Sequence, residues 1–389
     1  MTKNELPKST NFKSADVDIG FCPKAPSFAR IINAVTIRLT VIVLLLVAFA
    51  MTLGCGNAGK KTIAVGVAMP TQTRQRWNQD GANLERKLQS QGYAVDLEYA
   101  NNEPDLQIAQ INQMIETGCK VIIIGSVDGY VLGDVLDRAK DKGVTVIAYD
   151  RMIMNTDAVD YYATFDNLAV GTIQGEYIEE KLGLKNGNGP YNMEITAGSL
   201  DDSNTIYYFE GAMNVLRPYI ANGQLVVRSG QTAMQQCAIP HWKEHIAEAR
   251  MYDILTNYYR DAHLDVALCP NDSTAIGAIG ALKAAGYHTA DKKMPLITGQ
   301  DADRKNVRAI LADEQTMSIF KDTRNLADQV VKMVNSIIAG KMPETNDLGN
   351  YYNGVKVVPS FLVRPQFVDK DNYFELLVES GYYNEHDFD

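Results

Sequence analysis

Asp150-Arg151, Asn271-Asp272 and Gln300-Asp301 each follow closely on a short apolar run, and Arg76-Trp77, Asn204, Trp242, Arg250 and Lys321 join them as polar or aromatic groups near such run ends. Together they suit a neutral, hydroxyl-rich ligand such as a pyranose. Planar Asp, Asn and Arg side chains can meet neighbouring hydroxyls that both donate and accept. A tryptophan ring can lie against the apolar C–H face of a sugar. Trp77 and Trp242 are the only tryptophans in the chain. Taken singly, Asp150-Arg151 fits a turn ion pair, Asn271 fits a helix N-cap, and each tryptophan fits a core. Their shared position after strands is what favours binding.

Other chemistries find less support. The sequence has no GxGxxG after a strand, no GxxxxGK[ST] and no GxSxG, so nucleotide and serine-hydrolase chemistry is not expected. His241 and His245 flank Glu244 in the wrong order for a zinc helix and lack a third ligand, so neither a metal nor a cofactor is expected. Asp150 and Asp301 could be cast as a glycosidase pair. Arg151 beside Asp150 argues against it, because a guanidinium lowers a carboxylate pKa where a general acid needs it raised. The protein is therefore expected not to be an enzyme. A net charge of −10 without a basic stripe argues against nucleic acid. The five cysteines, at 22, 55, 119, 237 and 269, form no metal or disulfide pattern.

These groups need a scaffold, and the chain supplies an α/β rhythm. The β-branched runs 62–69, 94–99, 120–124 and 144–149 alternate with helical segments at 77–91, 104–117 and 130–142. The pattern restarts at 161–164 and continues through 191–197, 224–228, 266–269 and 296–297. Such alternation predicts two doubly wound parallel-sheet lobes, whose ligands lie beyond the carboxyl ends of the strands. Ahead of them, Leu39–Leu53 carries no charge, follows Arg30 and Arg38, and ends at Gly54-Cys55. That is the anatomy of an export signal rather than a membrane span. Thr52-Leu53-Gly54-Cys55 resembles a lipobox, which makes Cys55 the expected lipidation site; an uncleaved signal anchor is the alternative.

Ala68-Met69-Pro70 with Arg76-Trp77, Ala148-Tyr149-Asp150-Arg151, Phe165-Asp166-Asn167, Asp201-Asp202-Ser203-Asn204, Asn271-Asp272 and Gly299-Gln300-Asp301-Ala302 resemble the xylose/galactose/glucose branch of periplasmic sugar-binding proteins. The resemblance runs from about Thr62 to Tyr383. It implies the type I periplasmic-binding-protein fold, with two lobes joined by a hinge that the chain crosses three times. Residues 1–54 would be the export segment and 55–61 a lipid-anchored linker. The N-terminal lobe would comprise 62–164 with 322–360, and the C-terminal lobe 165–321 with 361–389. It further implies that Arg76, Asp150, Arg151, Asn204, Arg250, Asn271, Asp301 and Lys321 meet sugar hydroxyls and that Trp242 meets a sugar face. Trp77 matches a family tryptophan, with Arg76 beside it as the alternative group facing the sugar. Residues 235–240 depart from the family pattern, leaving selectivity open. The implied protein is an exported, monomeric, lipid-anchored receptor on the periplasmic or outer face of the cell membrane. It would deliver a monosaccharide to an ABC transporter permease; the alternative is a sugar sensor acting on a chemoreceptor or sensor kinase.

Overall fold

Strand β3 (Val121–Ile124) shows how the first half is built. Val121 and Ile123 point into one apolar layer, and Ile122 and Ile124 point into the other, the period-two alternation of a strand buried on both faces. One layer is closed by helices Pro104–Thr117 and Gly133–Asp141, through Ile111, Met114 and Leu136. The opposite layer is closed by helices Gln75–Ser90 and Thr323–Ile338, through Leu84, Leu88, Leu326 and Val330. The computed structural model describes residues 62–388, so Cys55, the export segment and the linker lie outside the described residues.

Around β3 lies a six-stranded parallel sheet with β1 (Ala64–Met69), β2 (Ala94–Tyr99), β4 (Thr145–Tyr149), β5 (Tyr161–Phe165) and β11 (Ser360–Val363), in the order β11-β5-β4-β3-β1-β2. A second parallel sheet contains β6 (Tyr191–Ile195), β7 (Leu225–Val226), β8 (Val266–Leu268) and β9 (Leu296–Ile297), in the order β7-β6-β8-β9. Its two faces are covered by Ile178, Phe209, Met213 and Leu216 on one side and by Met251, Ile254, Ala278 and Leu282 on the other. Strands β10 (Met317–Phe320) and β12 (Gln366–Asp369) form an antiparallel pair, tied to the second half by a bridge from Ile319 to Gln300.

The α/β rhythm taken alone puts 161–164 at the start of the second half, but this strand completes the first sheet as β5, paired with β4 and β11. Its side chains Tyr162 and Phe165 are buried in the two layers of that sheet, and apolar alternation alone does not say which sheet a strand joins. β11 belongs to the same sheet, so the chain leaves it after Val363 rather than at 360. The chain thus passes between the two halves after Phe165, after Phe320 and after Val363. This is the type I periplasmic-binding-protein architecture. The three described cysteines, Cys119, Cys237 and Cys269, are buried and unpaired, and burial pushes the Cys269 thiol up to about 12.

Candidate ligand-binding cleft

β4 ends at Tyr149, and the next residue turns sharply. Asp150 has a left-handed backbone, φ 61°, a conformation that Asp tolerates better than most residues with a side chain. Its carbonyl oxygen is pinned by Tyr162 Oη at 2.6 Å, Asn204 Nδ2 at 2.7 Å and Thr164 Oγ1 at 2.9 Å. The carboxylate is thereby aimed between the two halves. Asp301, after β9, and Trp242 are also left-handed, with φ 101° and 58°. Strained backbone of this kind gathers where side chains must be held for a ligand.

Arg76, in the first turn of its helix, joins the carboxylates. It donates to Asp150, lies 3.2 Å from Asp80 Oδ2 and lies 3.6 Å from Asp301 Oδ1. Lys321, 1% exposed, places Nζ 3.0 Å from Asp301 and 4.0 Å from Asp150. Burial alone would push the Asp150 carboxyl up, but Arg76, Lys321 and Arg151 outweigh it and hold the group below the usual carboxylate range. Asp150 is therefore a fixed anionic acceptor at neutral pH. Behind it, burial pushes Asp80 up to about 7 against the pull of Arg76 and a hydrogen bond from Tyr149. Asp303 is likewise pushed up to about 7, by burial and by Asp301.

Arg76, Trp77, Asp150, Arg151, Trp242, Asn271, Asp301 and Lys321 converge on one cleft between the halves. The indole of Trp77 is buried and faces the guanidinium groups of Arg76 and Arg151, 5.0 and 5.4 Å from its centroid. The ring thus packs against two arginines. Arg151 also reaches Asp202 Oδ2 at 2.9 Å and donates to the Ser126 carbonyl at 3.0 Å. Trp242 packs edge-on to Tyr208, with centroids 6.2 Å apart. Its Nε1 is buried without a hydrogen-bond partner, as are Gln300 Oε1 and Asp303 Oδ1. Unmet buried polar atoms gathered in one cleft mark a place for a ligand's hydroxyls. Asn271 lines the cleft and also caps its helix, accepting from Thr274 N at 3.0 Å.

Asn204 and Arg250 do not line the cleft. Asn204 sits behind it, bonded to Asp150, Tyr162 and Asn167 at the first crossing. Arg250 donates to Gln231 at 2.6 Å. Sequence reasoning missed Arg74, Asp202, Tyr208, Ser273 and Asp303, which do line it. Asp303 and Ser273 each lie within two residues of a residue that was singled out; Tyr208, inside the helix Asn204–Ala221, carries no signal beyond that of a core position.

About 30 Å³ of free space remains in the cleft, room for a water but not for a sugar ring. A roomier depression of about 640 Å³ lies on the outer surface by Tyr177, Arg364 and Phe367. It gathers no comparable set of polar groups from the strand ends of both sheets, and the cleft is the better candidate. The cleft lining also balances its charge. Arg74, Arg76, Arg151 and Lys321 face Asp150, Asp202, Asp301 and the partly protonated Asp303, a near balance suited to an uncharged polar ligand rather than an ion.

Comparison with known proteins is decisive for the family. The family described as periplasmic binding protein domain matches residues 65–342. The chain belongs to the periplasmic binding protein family. Among periplasmic binding proteins, it is 49% identical over 319 residues to the multiple sugar-binding periplasmic receptor ChvE of Rhizobium radiobacter, covering 82% of this chain and 90% of that one. It is 47% identical to the multiple sugar-binding periplasmic protein SbpA of Azospirillum brasilense over 324 residues, 83% of this chain and 90% of the relative. A solute-binding protein of Clostridium phytofermentans, solved with bound β-D-glucose, is 52% identical and superposes with a TM-score of 0.81, covering 84% of this chain and all of that one. All three are binding proteins by name, ChvE a receptor, and this chain is a binding protein rather than an enzyme.

Proposed function

We propose that this protein is an exported receptor that captures one glucose-type monosaccharide in the cleft between its two lobes and hands it to an ABC transporter permease. The N-terminal lobe comprises the first sheet with the helix Thr323–Ile338; the C-terminal lobe comprises the second sheet with β10 and β12. The observation that carries the proposal is the charge-balanced ring of Arg76, Asp150, Asp301 and Lys321 beside the unpartnered Trp242 Nε1 and Gln300 Oε1. An ionised carboxylate accepts from a sugar hydroxyl, while the amide and guanidinium groups supply the complementary donors and acceptors. The glucose found in the Clostridium relative supports this ligand class. Groups on both lobes give a ligand differential contacts that favour the closed state, which a population shift requires. Acylation of Cys55 would hold the receptor at the membrane, beside its permease.

Calorimetry against pentoses, hexoses, amino acids and nucleosides tests the proposal. One site per chain for an aldohexose, without turnover, is expected. Heat from amino acids or nucleosides alone would refute it.

A further inference from the structure

Arg74 immediately precedes the helix that carries Arg76 and Trp77. Its Nη2 crosses the cleft and donates to two successive main-chain carbonyls, His241 O at 2.7 Å and Trp242 O at 3.0 Å. Both acceptor residues are left-handed, with φ 54° and 58°. A β-carbon makes that conformation costly, and it persists where surrounding groups enforce it. Here the second half does so. The His241 N–H donates to Ser199 Oγ at 2.7 Å, His241 Nδ1 lies 2.9 Å from Asp201 Oδ2, and the Trp242 N–H donates to the Ile239 carbonyl at 3.1 Å. The paired carbonyls are therefore prepared within one half and completed by a cation from the other.

The position of this link matters. Arg74 lines the cleft yet is only part-buried, the His241 side chain is exposed, and Trp242 is buried just inside. The link thus lies across the mouth. Burial and the neighbouring Arg151 bring Arg74 down to about 10, which leaves it cationic at neutral pH.

We propose that Arg74 is a specificity-determining latch that shuts the mouth behind a single monosaccharide ring. The inference rests on the sugar-binding cleft proposed above. Because the two bonds exist only when the halves meet, they stabilise the closed state alone and slow release of the ligand. A second ring joined to the first has to pass through the mouth and compete with the guanidinium for its place.

Stopped-flow tryptophan fluorescence with D-glucose and with maltose, on the wild-type protein, Arg74→Ala and Arg74→Lys, tests the latch. Arg74→Ala is expected to raise the glucose dissociation rate about tenfold, the loss of a charged hydrogen bond, with association little changed. The ratio of maltose to glucose affinity should rise, and Arg74→Lys, which keeps the charge without the planar fork, should fall between. An unchanged dissociation rate in Arg74→Ala, or equal losses for both sugars, overturns the latch. Absence of glucose binding by the wild-type protein would instead refute the sugar cleft itself.

Discussion

Replacing Asp150 separates its two duties, because the side chain and the backbone are held by different partners. In Asp150→Ala, Arg76 loses its nearest carboxylate but keeps Asp80 at 3.2 Å and Asp301 at 3.6 Å, and Lys321 keeps Asp301 at 3.0 Å. The stability loss should therefore stay below the roughly 3–5 kcal/mol of an ion pair left with no alternative, at about 2 kcal/mol. Alanine at φ 61° adds roughly 1–2 kcal/mol of left-handed strain. Asp150→Asn keeps the shape and tolerates that backbone, so most of the strain is absent. For binding, loss of a charged acceptor costs about 1.5–3 kcal/mol, or roughly tenfold to a hundredfold in Kd. Calorimetric titration with glucose and thermal unfolding without sugar measure the two effects. Both variants should bind more weakly, alanine more so, while only Asp150→Ala carries the strain penalty in Tm. Glucose affinity within about twofold of wild type in Asp150→Ala would refute the placement of the cleft.

Further expectations follow from other parts of the molecule. A β-carbon on Gly198 would meet the Trp242 indole at 2.1 Å, so Gly198→Ala should displace that ring and weaken sugar binding at least tenfold in titration; wild-type affinity would contradict this role for Trp242. Burial holds Asp80 and Asp303 at about 7, whereas an unfolded Asp titrates near 4. The folded state therefore binds the extra protons, and stability falls as pH rises from about 4 to 7. Denaturant unfolding of the sugar-free protein should show a higher midpoint at pH 5 than at pH 7.5, and Asp80→Asn should narrow the difference. Asp150, held low, stabilises the fold at neutral pH, and that contribution is lost only as pH falls below about 4. Cys55→Ser should release the protein from membranes in a fractionation assay; unchanged attachment would favour a signal anchor.

Much of the scaffold is written in local chemistry. Pro104 at the first helical turn and Gly118, with φ 88°, at the end bound the helix Pro104–Thr117 where the sequence places it, since one lacks a donor the helix does not need and the other accepts a left-handed stop. β2, at 94–99, is also found where expected. The sheet that β5 joins was not legible in the periodicity alone, because pairing with β4 and β11 depends on contacts distant in sequence. In the cleft, Asp150, Asn271 and Asp301 were legible because strand ends in such sheets face ligands. Tyr208 was not, since a tyrosine within an apolar helix looks the same whether it faces a core or a cleft. Asn204 was read as a ligand group, yet its amide is committed to the Asp150 carbonyl, and only the tertiary contact shows it.

Diffraction from crystals grown with D-glucose tests the central claim most directly. The account predicts one sugar ring between the lobes, with hydroxyls on Asp150, Asn271 and Asp301 and a ring face against Trp242. Sugar density confined to the depression by Tyr177 and Phe367, with the cleft empty, would contradict it.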